Sequence, residues 1–403
     1  LALRDSSPLI SLEKFMPCHP YIFAQFLRLL PKTEFSRIVK KYNGDHRAKH
    51  FMCWDQMACL ILAHIRQEKS LRNIDIALNS HAAKLYHIGI HQAPKSTLAD
   101  ANEHRDYRIY EDFAKFLMLK AKREYANTEL SLDVDNAIYA LDASVIDLTL
   151  ELFPWAHFRK TKAAIKLHTM IDLRGNLPAF LMITDGKVHD VKAAPSVPIE
   201  ADGIYLIDRG YIDFAWLALI HKQKAFFVTR LKENIKWVRV VSHPVDKKLG
   251  LICDQEIILA SKKLKEIYPE RLRRVSFRDE LQQRTLVFLT NNFELSAATI
   301  AALYKARWEI ELFFKWIKQN LRVKNFYGTS PNAVKTQIWI SMIVYLILAI
   351  LKQRYQIKTS LSKMLHFLET NLFEQKPILS IFAGNPRHQD SFQPPKQLFL
   401  FGS

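Results

Sequence analysis

The sequence predicts an α/β protein: a mixed-sheet core with an inserted β-rich subdomain, preceded by a helical, basic N-terminal region. Three observations carry this reading. Apolar residues keep helical spacing up to about residue 130 and change to strand-like patterning from Asn136. Apolar and β-branched stretches then alternate with turns and helical segments. Finally, the chain returns through a strongly amphipathic helix expected over 303–321.

In the N-terminal region, 51–66 and 107–125 show helical apolar spacing broken by Lys and Arg. Two shorter helical segments, 70–78 and 96–105, are joined by a Gly- and Pro-containing connection. The second is polar. It suits a recognition helix in a helix-turn-helix-like module and suits an ordinary solvated helix equally well.

In the core, Ile138–Leu148 is rich in apolar and β-branched residues. Residues 164–173 alternate, Arg174-Gly175-Asn176 makes a turn, and 177–184 answers it as an antiparallel partner. A short helical segment after His189 leads to a buried strand at 203–207, a helix at 211–222 and a strand at 225–229. Three strands, helix, strand, helix, strand is the order of a ribonuclease H-like mixed sheet. Residues 231–292 interrupt it with β-like pieces at 237–241, 251–259, 271–277 and 284–289. The most apolar run, 338–351, is shorter than a membrane span and reads as a buried core helix. A modest helix at 360–372 precedes a Pro- and Gln-containing tail expected to be poorly ordered.

Composition narrows the function. The 403 residues carry 58 Lys+Arg against 40 Asp+Glu, a formal charge of +18 spread along the chain. A globular protein this basic is matched to a polyanion, with nucleic acid the first candidate. Cys18, Cys53, Cys59 and Cys253 show no metal-binding or disulfide spacing and read as reduced thiols of a cytosolic protein. The first residues lack a signal-peptide pattern.

The returning helix holds an unusual stripe. Leu303, Ala306, Ile310, Phe313, Phe314, Ile317 and Leu321 form its apolar face. Tyr304, Arg307, Glu311 and Lys318 fall within an arc of roughly 60° beside it, if the helix is continuous. Arg307 and Glu311 alone make an ordinary i,i+4 pair. Two other carboxylates change the weighting. Asp142 interrupts an apolar strand, where a charge is costly unless paired or metal-bound. Asp208 closes a buried strand, where open α/β sheets place ligands, although a helix N-cap explains it too. The first and fourth strands of the expected sheet are neighbours, so the two aspartates converge and the helix lays Glu311 across them. Three such carboxylates suit two divalent cations, Mg2+ or Mn2+, in phosphodiester chemistry. By contrast, His189-Asp190 suits either a place near the site or a surface turn, with the turn favoured, and Arg230 and Lys232 read as either solvated or DNA-touching.

Tyr304, Arg307, Glu311 and Lys318 match Y-x-x-R-x-x-x-E-x-x-x-x-x-x-K. With Asp142 and Asp208-Arg209-Gly210-Tyr211, the sequence resembles the insertion-sequence-four family of DDE transposases over about 137–330. The resemblance implies cut-and-paste DNA transposition by a cytoplasmic, nucleoid-associated enzyme. Asp142, Asp208 and Glu311 are then the catalytic metal ligands, and Tyr304, Arg307 and Lys318 the DNA contacts. It also implies double-stranded DNA partners (terminal inverted repeats and target), a homodimer in the DNA complex, and no membrane. The expected domains are 1–130 (helical, DNA-binding), 131–352 (catalytic, with the insertion at about 231–292) and 353–403 (helix and tail). A nuclease that does not join, or a non-catalytic DNA-binding descendant, remain the alternatives.

Overall fold

The computed structural model describes residues 20–92, 94–130, 132, 134–159, 162–279, 283–321 and 326–382. The readings of Cys18, of the first residues and of the tail beyond 382 lie outside them.

The N-terminal region is helical: α1 Ile22–Arg28, α2 Lys32–Lys41, α3 Cys53–Ile65, α4 Leu71–Ser80, α5 Ala82–Ile88, α6 Lys95–His104 and α7 Arg108–Glu124. The centre of this region is α3: every residue but Trp54 is buried, the polar Asp55, Gln56 and His64 among them. The polar helix α6 buries Leu98, Ala101 and Asn102 and leaves its other residues partly or fully exposed.

The core follows as β1 Ile138–Leu148, β2 His157–Arg159, β3 Lys162–Asp172, β4 Leu177–Asp185, α8 Asp190–Ala193, β5 Ile204–Ile207, α9 Phe214–Lys222 and β6 Phe226–Arg230. The β3–β4 turn needs the left-handed backbone of Gly175 and Asn176, at φ 88° and 55°. A Cβ on Gly175 would also strike the Tyr125 ring. The helix expected at 211–222 starts later, because Asp213 caps Trp216 N–H at 2.9 Å and a 3-10 turn occupies Arg209–Tyr211. In the sheet, β4 pairs with β3 and β3 with β1, all antiparallel; β1, β5 and β6 then run parallel. This is the ribonuclease H-like arrangement.

The inserted stretch adds β7 Trp237–His243, β8 Leu251–Leu259, α10 Lys262–Ile267, β9 Leu272–Asp279 and β10 Arg284–Thr290. It does not form a sheet of its own. β10 pairs antiparallel with β6, and β9, β8 and β7 continue outward. The insertion therefore covers the edge that β6 would otherwise present.

Among the described residues four α-helices follow: α11 Ala297–Ala306, α12 Glu309–Asn320, α13 Pro331–Arg354 and α14 Leu361–Asn371. Here one expectation is corrected, and another holds for a different reason. The single helix at 303–321 is two helices. Arg307, Trp308 and Ile310 donate their amides three residues back, to Tyr304, Lys305 and Arg307, and this tightening breaks the α-helical run. The apolar run at 338–351 belongs to a helix of 24 residues, long and apolar enough to cross a membrane; 94% of its most apolar window is buried in protein. Its burial, and not its length, marks it as a core helix.

At β1 the sheet is buried on both faces. Ile138 and Ala140 join the large core built with α3, α7 and α13, whereas Tyr139 and Leu141 join a second core with α9.

Candidate active site

The register of two parallel strands sets the site. Leu141 lies opposite Ile207, so the next residues, Asp142 and Asp208, stand level at the carboxyl end of β5. Asp208 also serves as a cap: its Oδ2 accepts the Gly210 amide at 2.9 Å at the start of the 3-10 turn. Asp142 Oδ1 accepts the Ala143 amide at 2.7 Å. Burial pushes the Asp142 carboxyl up to about 6, against the pull of Arg307 and with a further push from Asp208.

Glu311 arrives in the first turn of α12, and Arg307 ties it to the sheet. Arg307 Nη1 donates to Asp142 Oδ2 at 2.7 Å, and Nη2 donates to Glu311 Oε1 at 2.9 Å. A cleft of about 500 Å³ opens beside these groups, lined among others by Ser144, Lys315, Lys318 and Gln319.

Of the remaining members of the stripe, Tyr304 points inward and Lys318 lies at the cleft. Tyr304 is 7% exposed, stacks near Phe288 with ring centroids 5.0 Å apart, and has a buried hydroxyl without a hydrogen-bond partner. Burial pushes its phenol up to about 12, with Arg307 opposing. Lys318 Nζ donates to the Val145 carbonyl at 2.9 Å, which fastens α12 to β1. The break at Arg307 and Trp308 is why the four side chains do not form one continuous exposed stripe.

A fourth carboxylate belongs to this neighbourhood, contrary to the favoured reading of His189-Asp190 as a surface turn. Asp190 Oδ2 and Asp208 Oδ2 approach the same point above Gly210, at 3.1 and 3.2 Å from where a Cβ would sit. Asp190 Oδ1 accepts from Lys166 Nζ at 3.2 Å, and the buried His168 lies beside it with Nδ1 at 3.7 Å. Burial lowers His168 to about 4, which keeps it neutral near pH 7. The signal available in the sequence was Lys166 and His168, alternate polar residues in an apolar strand and so on one face. Arg230 and Lys232 carry no hydrogen bond into the site among those resolved, although the charge of Arg230 reaches the Tyr304 phenol.

Among the described residues, no group of three or more His, Cys, Asp and Glu is gathered tightly enough to hold a metal ion. The donor chemistry nevertheless fits a hard divalent cation: carboxylates converge, and a cationic guanidinium already lies between two of them.

Comparison with known proteins agrees with this geometry. Residues 135–347 match the family described as "Transposase DDE domain", and residues 19–91 match a "Domain of unknown function (DUF4372)". A Sinorhizobium fredii protein named as transposase y4zB is 32% identical over 308 residues, covering 75% of this chain and 84% of that protein. A Geobacillus stearothermophilus protein named as the transposase for insertion sequence element IS5377 is 27% identical over 337 residues, covering 83% and 86%. Among solved structures, piggyBac transposase in a synaptic complex with hairpin DNA aligns over 88% of this chain and 80% of its own, at 11% identity and a TM-score of 0.46, too low to carry an argument. With its ribonuclease H-like sheet and a family match spanning more than half its length, this chain belongs to the DDE-domain transposases of insertion sequences.

Proposed function

We propose that this transposase binds the terminal inverted repeats of its element as a homodimer, cuts there, and joins the ends to target DNA. Asp142, Asp208 and Glu311 hold two Mg2+ or Mn2+ ions. The observation that carries the reading is the ion-paired group Asp142–Arg307–Glu311 beside Asp208, at the carboxyl end of parallel strands. Bound ions of this kind activate the attacking oxygen and neutralise the leaving one in phosphodiester substitution.

The chain's own residues orient the reaction. The Ala143 amide fixes Oδ1 of Asp142 and the Gly210 amide fixes Oδ2 of Asp208, which leaves Asp142 Oδ2 to Arg307. Lys315 and Lys318 line that cleft and, with Arg307, are assigned to the DNA backbone; the expected contact by Tyr304 is withdrawn, because its hydroxyl is buried. The basic helical region, with α6 presenting its polar face, is assigned to duplex recognition, and the protein works in the cytoplasm at the nucleoid.

The test is excision and joining from a plasmid carrying the DNA that flanks the gene, in Mg2+. Wild type should excise and join. Asp142→Asn and Glu311→Gln should bind the ends without cutting. Equal cutting by the substituted proteins refutes the site, and cutting without joining by wild type makes the protein a nuclease.

A further inference from the structure

Arg307 occupies the place between Asp142 and Glu311 where a cation is needed, and its own hydrogen bonding there is incomplete. Nη1 and Nη2 serve the two carboxylates at 2.7 and 2.9 Å, while the buried Nε has no hydrogen-bond partner. The guanidinium thus satisfies two acceptors and sacrifices one of its own donors.

Its position in the chain lets it move. Ala306 ends α11 and Glu309 begins α12, so only Arg307 and Trp308 join the helices. Trp308 is 58% exposed, whereas Leu303 and Ile310, on either side, are fully buried. Rotation about the Arg307 side chain leaves both anchors packed.

We infer that Arg307 is a cation placeholder. In the protein alone it neutralises Asp142 and Glu311; when DNA binds, a phosphate draws the guanidinium away and the carboxylates become open to the divalent ion. The inference rests on the metal-dependent reading above. A guanidinium matches phosphate with two parallel hydrogen bonds. Two carboxylates against one guanidinium leave net negative charge, which a divalent ion removes more completely. Guanidinium and metal repel each other, so only one occupies the gap. Metal and DNA therefore bind cooperatively, each strengthening the other by the same factor.

The experiment is Mn2+ titration of the full chain, read by electron paramagnetic resonance of the free ion, with and without a duplex of the gene's flanking DNA. Wild type should bind Mn2+ about tenfold more tightly, or better, with the duplex. Arg307→Gln should gain about that factor without any DNA and lose most of the dependence on it. Arg307→Lys, which keeps a charge but not the fork, should fall between and serves if the Gln variant does not fold. No gain in Mn2+ affinity by either Arg307 variant without DNA overturns the placeholder. Asp142→Asn and Glu311→Gln separate the two failures. If they abolish the DNA-stimulated Mn2+ binding, the metal site stands whatever Arg307 does; if they leave it unchanged, the metal reading itself fails.

Discussion

Arg307 and Asp142 are 165 residues apart in the chain, and their side chains meet at 2.7 Å. The pair links the joint between α11 and α12 to the strand at the centre of the core. Its side chains are 13% and 21% exposed, so it is shielded from water without being sealed. Arg307→Ala, measured by urea denaturation without added metal, should cost about 1–3 kcal/mol, because two carboxylates lose a shared cation in a partly dry place. A change within about 0.5 kcal/mol, typical of surface positions, would show that the pair contributes nothing to folding.

Gly210 tests the packing of the acidic groups. A methyl group there meets the ends of two side chains, Asp190 Oδ2 at 3.1 Å and Asp208 Oδ2 at 3.2 Å. Carboxylates can turn aside cheaply, so Gly210→Ala should keep stability within about 0.5 kcal/mol. Excision should nevertheless fall about tenfold or more, since small displacements of reacting groups cost rate steeply. Excision rates and melting curves on one preparation check both halves.

The insertion depends on a buried ion pair. Arg273 donates to Asp254 Oδ1 at 2.9 Å and Oδ2 at 2.7 Å, and its Nη1 reaches the Leu295 carbonyl at 2.6 Å. It therefore couples β8 and β9 to the segment entering α11. Arg273→Ala should destabilise by about 3–5 kcal/mol, because the Asp254 charge is left buried and unpaired. Arg273→Met with Asp254→Leu should recover most of that loss in the same denaturation experiment.

His64 predicts acid sensitivity. It is fully buried, with Nδ1 2.9 Å from the Leu321 carbonyl and Nε2 3.2 Å from that of Gln337. Burial lowers it to about 4, only partly offset by the two carbonyls. The unfolded chain takes up this proton below about pH 6.5 and the folded chain only near 4. Stability is therefore intact above that upper value and falls as pH drops through the window, by about 2 kcal/mol at pH 5 from this group. His168, lowered in the same way, adds in the same direction. Denaturation at pH 7.5 and 5.0 should show a smaller acid loss in His64→Gln than in wild type. Identical losses would remove His64 as the cause.

Much of the fold is a local matter and was legible in the residues. Alternation marked β3 and β4, the Arg174-Gly175-Asn176 turn paired them, and the order of segments gave the sheet its topology. That topology made Asp142 and Asp208 neighbours before any contact was seen. Each of these properties is written over a few residues, where backbone geometry and hydrophobic period act directly.

The partners across long stretches of chain were decided only by tertiary packing. Periodicity gave one helix at 303–321, but the chain turns tightly at Arg307 and Trp308, and Arg307 bridges Asp142 and Glu311. The chain position of Asp190 suited a surface turn better than the site, because only the close approach of β3, α8 and the end of β5 brings it to Asp208 across Gly210. Likewise the inserted strands read as a separate unit until β10 was seen to pair with β6. The sequence by itself determined the elements and the acidic residues that β1 and β5 carry. Which cation those acids hold, and which side chains surround them, depended on electrostatics and packing between segments that share no local pattern.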